Sequence, residues 1–193
     1  MRTDFLYLSL GSNQGAREQH ICDALALLEK KFNVPCRACS AMLETRPWGN
    51  WGENPIAQED ACASRPCVEN FINAAVCFEV SQEAFTPHQI LAICKQVESE
   101  FGRVEKIEYD ANGERVYHSR PIDIDILLWG DLLLDTSDLK IPHPLMWERD
   151  FVLTPLAEIA DETLKLKIDA QELYLEFRGK PADPKHLLEK KGF

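Results

Sequence analysis

The spacing of apolar positions divides the chain into stretches of period two and stretches of period three to four. Residues 5–10 (FLYLSL) read as a compact apolar strand, with Gly11-Ser12-Asn13 as the turn signal after it. From 14 to 32 the pattern is helical. Ile21, Leu25, Leu28 and Phe32 recur at three- and four-residue steps with charged residues between them, and Asn33-Val34-Pro35 ends the run. Residues 36–45 predict a second strand and 71–80 (FINAAVCFEV) a third. Residues 87–101 predict a second amphipathic helix, with Ile90, Ile93, Val97 and Phe101 on one face and Gly102 as its stop. A further strand is expected at 122–129, where Gly130-Asp131 turns it into Leu132-Leu133-Leu134 as a hairpin. Pro142-His143-Pro144 punctuates the chain, 147–159 reads as helical in part, and 173–177 as a last short element.

Two stretches break this rhythm. Residues 46–69 are rich in Gly, Pro, Asn and acidic side chains, and 104–119 are polar around Asp110-Ala111-Asn112-Gly113. Loops of this length in a compact domain are either functional or disordered, and both are expected to be mobile. The order strand, helix, strand, loop, strand, helix, loop, strand is the split β-α-β order of a ferredoxin-like α+β sandwich. Two helices are then expected to cover one face of a mostly antiparallel sheet. The 193 residues suffice for one core, so the expectation is a single domain over 1–179 with a loosely held tail at 180–193.

The strand Ile122-Asp123-Ile124-Asp125-Ile126-Leu127-Leu128 carries the clearest chemistry. Residues two apart share a face, so Asp123 and Asp125 stand side by side while Ile122, Ile124 and Ile126 face a core. Two parallel anions in so apolar a strand repel each other and are costly to desolvate unless a cation binds them. Magnesium does so with oxygen ligands, usually one or two carboxylates plus substrate phosphates. A bare Asp-x-Asp is shared by many nucleotide-using enzymes and some calcium sites.

Charge sharpens this reading. The net charge of −11 argues against nonspecific binding to nucleic acid or to membrane surfaces. An anionic substrate must then be met by metal or by a local basic group. Arg103, Lys106, Arg115 and Arg120 supply such a group, with Arg103 and Arg120 at element ends where a guanidinium can fork onto phosphate oxygens. The 45% hydrophobic fraction is that of an ordinary globular protein, and no apolar run approaches the roughly 20 residues of a membrane span. Seven cysteines, an odd number, and an N-terminus without a secretory pattern read as reduced thiols in a cytoplasmic protein. Cys36, Cys39, Cys62 and Cys67 are a weaker zinc alternative, since the second pair is spaced more widely than a usual knuckle.

Around the first loop, Asn73 offers a donor and an acceptor to a heterocyclic edge, and Phe71, Phe151 and Trp48 can sandwich a flat ring or belong to the core. His143 can touch a phosphate or cap a turn. Glu98 can accept from a base or ribose or be an ordinary helix-surface acid. Walker-type, Gly-x-Gly-x-x-Gly and His-Glu-x-x-His motifs are absent, which disfavours a P-loop kinase, a Rossmann dehydrogenase and a zincin.

In one order, the chain carries Leu10-Gly11-Ser12-Asn13, Glu44-Thr45-Arg46-Pro47-Trp48-Gly49, Phe71-Ile72-Asn73-Ala74-Ala75, Glu98-x3-Gly102-Arg103, Arg120-Pro121-Ile122-Asp123-Ile124-Asp125, Ile141-Pro142-His143-Pro144 and Arg149-x-Phe151-Val152-Leu153-x-Pro155-Leu156. Together these resemble the 6-hydroxymethyl-7,8-dihydropterin pyrophosphokinases of folate biosynthesis. The resemblance implies transfer of pyrophosphate from ATP to the pterin hydroxymethyl group, with AMP released. It implies that Asp123 and Asp125 hold two magnesium ions, with Arg103 and Arg120 beside them at the reacting phosphates. Thr45, Phe71, Asn73 and Phe151 would bind the pterin, with Pro47, Trp48 and Tyr117 as further substrate contacts. Tyr117 stands in for a stacking tryptophan of the family. Lys106, Arg115, His143 and Arg149 would serve the nucleotide, with Glu98 near it. The partners implied are small molecules alone, with no obligatory protein partner.

Overall fold

Alternation of side chains between the two faces of three long strands sets both the core and the site. A computed structural model describes residues 3–48, 69–103, 108–109, 112–113, 115–116, 118–161 and 164–165. In chain order the elements are β1 (Asp4–Ser12), α1 (Arg17–Phe32), β2 (Cys36–Cys39), β3 (Leu43–Thr45), β4 (Phe71–Val80), α2 (Pro87–Glu100), β5 (Glu108–Tyr109), β6 (Arg115–Val116), β7 (Asp123–Trp129), β8 (Leu134–Asp135), β9 (Lys140–Ile141), a 3-10 turn (Met146–Glu148) and α3 (Asp150–Ile159). The chain forms two compact units, Met1–Ile159 and Ala160–Phe193, and every named element belongs to the first. The short element expected at 173–177 and the tail expected after 179 lie outside the described residues.

The main sheet runs β2-β4-β1-β7, with β3 also pairing β4, and neighbouring strands are antiparallel. α1 and α2 each carry the chain across one intervening strand, which is the expected ferredoxin-like arrangement. Leu6, Leu8 and Leu10 of β1, Ile72, Val76 and Phe78 of β4, and Ile124 and Ile126 of β7 form one buried cluster with Ile21, Leu28 and Phe32 of α1 and Ile90 and Val97 of α2. Phe32 meets Phe78 edge-on at 5.2 Å. α1 ends at Asn33 in the left-handed conformation, with Lys30 and Lys31 in its last turn where they oppose the helix dipole. α2 starts on a capping box of Thr86 and Gln89, with Pro87 in its first turn.

Several expectations need correction. The strand expected over 36–45 is two strands, because Ser40 interrupts it. Its hydroxyl accepts the Ala75 N–H at 3.0 Å, so a side chain satisfies the ladder where the backbone bends away. The turn expected at 11–13 begins later. β1 runs through Ser12 because β4 supplies partners to Gly11 and Ser12, and β7 supplies one to Gly11. Residues 132–134 do not pair back on β7; the hairpin is β8 with β9. The loop after α2 contains a short β5–β6 ladder. The last expected helical stretch divides into the 3-10 turn and α3, which packs chiefly against β4. Buried Val152, Leu153 and Leu156 of α3 stand outside the α1–α2 cluster, so α3 covers part of the opposite sheet face.

Candidate active site

Register places the polar side chains of that opposite face in two rows. Gly11 lies opposite Asn73 on one side and Asp123 on the other, and Ser9 lies opposite Ala75 and Asp125. Gly11 allows the first row to close up. A Cβ there would stand 3.2 Å from Asn73 Oδ1 and 3.6 Å from the Phe71 ring. Asp123 and Asp125 thus share a face, as alternation requires, with Ile122, Ile124 and Ile126 buried behind them.

Two clefts meet at these aspartates. The first is lined by Thr45, Phe71 and Asn73 from β3 and β4, by Trp48 and Phe151, and by Arg46, Arg120 and Arg149. Asn73 is buried and donates to Thr45 Oγ1 at 2.9 Å, which fixes its amide. Trp48 and Phe151 lie 6.5 Å apart, and the Arg149 guanidinium sits 4.7 Å from the Trp48 ring centre and 5.7 Å from that of Phe151. The second cleft has Leu91, Lys95, Glu98 and Ser99 of α2 on one side and Arg103 beside them. Asp123 and Asp125 line both.

The two carboxylates differ in their neighbours. Asp123 accepts from Arg103 Nη1 at 2.5 Å on one oxygen and from Arg120 Nη1 at 2.9 Å on the other. Asp125 has Arg149 Nη1 at 3.8 Å. Burial, and then the charge of Asp123, push the Asp125 carboxyl up to about 6 against the pull of Arg149, Arg120 and Arg103. Glu98, on the inner face of α2, accepts from Arg103 and takes the Ile124 N–H at 2.7 Å. Burial raises it to about 7, partly offset by Arg103, with Asp123 adding to the rise. The helix-surface alternative for Glu98 is therefore excluded: it is 8% exposed and ties α2 to β7.

Of the residues singled out from the sequence, the structure brings together Thr45, Trp48, Phe71, Asn73, Arg120, Asp123, Asp125, Arg149 and Phe151 at the first cleft. It brings Glu98, Arg103 and the aspartates together at the second. Arg149, expected with the nucleotide, stands beside the Trp48 and Phe151 rings and 3.8 Å from Asp125. Pro47 lies between Arg46 and Trp48 without lining either cleft. His143 lines neither. Its Nδ1 accepts the Leu145 N–H at 3.2 Å and its own N–H donates to Leu127 O at 2.9 Å, so it holds the turn after β9. Burial, with Arg149 nearby, lowers it to about 4. Lys106, Tyr117, Cys62, Cys67 and the side chain of Arg115 lie outside the described residues. Sequence reasoning missed Ser9, Arg46 and Lys95. Lys95 had a signal, since it precedes Glu98 by three residues and therefore shares its helix face. No helix among the described residues is long and apolar enough to cross a membrane.

Comparison with known proteins identifies the family. The family model for 7,8-dihydro-6-hydroxymethylpterin-pyrophosphokinase (HPPK) matches residues 7–161. A 2-amino-4-hydroxy-6-hydroxymethyldihydropteridine pyrophosphokinase of Porphyromonas gingivalis is 38% identical over 156 residues, 80% of this chain and 90% of that protein. A folic acid synthesis protein of Dictyostelium discoideum is 39% identical over 157 residues, 81% of this chain but only 20% of that protein. A crystal structure of an HPPK-DHPS in complex with substrates matches with a TM-score of 0.55 at 17% identity, covering 92% of this chain and 45% of that one. At that identity the likeness is one of fold. With the family's pattern running across nearly all of the first compact unit, the chain belongs to the 7,8-dihydro-6-hydroxymethylpterin-pyrophosphokinase family.

Proposed function

We propose that Asp123 and Asp125 mark the point where pyrophosphate passes from ATP in the cleft beside α2 to a pterin in the aromatic cleft. The chain is a pyrophosphokinase that acts on hydroxymethyldihydropterin in folate synthesis, within an ATP-using family. The observation that carries the assignment of residues is the aspartate pair standing between two clefts of different make-up. One offers a fixed amide, a hydroxyl and aromatic faces, which suit a flat heterocycle with polar edges. The other offers Lys95 and Arg103, which suit a polyphosphate.

In this reading Asn73 and Thr45 hydrogen-bond the pterin edge while Phe71 and Phe151 hold its faces, with Trp48 at the rim. The hydroxymethyl oxygen attacks the β-phosphorus of ATP and releases its proton to water. The bond from that phosphorus to the α,β-bridging oxygen breaks, and AMP leaves. Arg103 and Arg120 hold charge that spreads over the non-bridging oxygens, and Arg149 keeps the aromatic side positive. The residues fit magnesium. Both carboxylates line the two clefts from one strand face, and burial with the charge of Asp123 raises the Asp125 carboxyl, a repulsion that a divalent cation would relieve. Asp123 and Asp125 would hold two such ions, which when bound neutralise the phosphates and orient the attacking and leaving oxygens.

A product assay with ATP and hydroxymethyl-dihydropterin tests this. AMP and a pterin diphosphate are expected, with turnover lost in EDTA and restored by magnesium. ADP with a singly phosphorylated pterin overturns the reaction, and undiminished turnover in EDTA overturns the metal assignment.

A further inference from the structure

Within the Gly11-Ser12-Asn13 motif, Asn13 has no part in the reaction as described. Asn13 is 1% exposed and lines neither cleft. Its side chain is nevertheless fully engaged with segments far along the chain. Asn13 Oδ1 accepts the Arg120 N–H at 2.8 Å, and the Asn13 N–H donates to the Arg120 carbonyl at 3.2 Å. Asn13 Nδ2 donates to Ser119 Oγ at 3.2 Å and to the Glu69 carbonyl at 3.4 Å. The residue therefore clamps the Arg120 backbone from both its N–H and its carbonyl, and ties that backbone to the entry of β4.

Arg120 needs such a clamp. Its guanidinium reaches Asp123 Oδ2 from a segment that joins no strand until Asp123 itself. A shift of the Arg120 Cα would be passed to the guanidinium along the whole side chain. Misplacement of about 1 Å at a reacting group can cost on the order of 100-fold in rate. We propose that Asn13 is a positioning residue for Arg120, fixing its backbone so that the guanidinium meets Asp123 and the phosphates. This rests on the reading of Arg120 as a charge at the reacting phosphates.

A double-mutant cycle separates positioning from general support of the fold. AMP formation at saturating ATP and pterin is measured per folded molecule for the wild type, Asn13→Ala, Arg120→Ala and the double variant. Asn13→Ala is expected to lose about 10- to 100-fold in kcat, and the double variant to match Arg120→Ala within about twofold. Multiplication of the two losses overturns the proposal, because Asn13 would then act other than through Arg120. Should Arg120→Ala turn over like the wild type, it is the reading of Arg120 that fails. Should Asn13→Ala fail to fold, the same cycle is run with Ser119→Ala, which removes one anchor at an exposed position. A loss of about threefold that disappears in the Arg120→Ala background is expected. Wild-type turnover in Ser119→Ala, or a loss that persists in that background, overturns the proposal.

Discussion

The two faces of β1 and β7 carry opposite chemistry on alternate residues of the same backbone. On one face Leu6, Leu8, Leu10, Ile124 and Ile126 are buried beneath α1 and α2. On the other, one residue away in each case, stand Ser9, Gly11, Asp123 and Asp125. The first face supplies the hydrophobic stabilisation, and the second inherits its rigidity. A site on strands whose reverse side is packed needs little further support to hold two carboxylates in register.

The sharpest way to test this division is to change each face in turn. Asp125→Ala is expected to reduce turnover by on the order of 1,000-fold or more while leaving the thermal midpoint unchanged or raised, since two like charges no longer share one strand face. AMP formation and a melting curve on the same sample measure both, and a lowered midpoint breaks the comparison. Leu8→Ala, its counterpart on the packed face, is expected to cost about 3 to 5 kcal/mol in urea unfolding, with turnover per folded molecule retained.

Glu98 belongs to both regions, and gives the smallest effect and the finest test. It projects from a core-packing helix and engages Arg103 and the Ile124 N–H. Its carboxyl titrates at about 7 in the fold against an ordinary 4.5, because burial disfavours the charged form. The folded protein therefore binds this proton more tightly than the unfolded chain does. The associated stability is fully present below about pH 4.5 and is lost as pH rises through 7, amounting to about 3 kcal/mol. Urea midpoints between pH 4 and 8 are expected to fall with pH in the wild type, and Glu98→Gln is expected to flatten that slope.

Periodicity made much of the packed face legible. β4 carries a continuous apolar run, α1 and α2 show helical spacing, and Ile124 and Ile126 alternate with the aspartates. The site was legible where local pattern and chemistry coincide, as at Asp123 and Asp125. It was illegible where partners lie far apart in the chain. Asn13 meets Arg120 across 107 residues, and no window around either one contains the other. The division of β2 from β3 depended on a Ser40 hydroxyl finding the Ala75 N–H, which propensity alone does not register. Arg149 reads as one more cation in the sequence, and only the fold brings it beside both Trp48 and Phe151. The β8–β9 pairing was missed because a Gly-Asp turn followed by three leucines imitates a return strand to β7.

Gly11 gives the aromatic cleft its depth. With no side chain on the middle strand of three, the amide of Asn73 can lean across the space that any other residue would fill. One carbon atom left out of the middle strand is thus what lets a carboxamide and a phenyl ring crowd together over the same stretch of backbone.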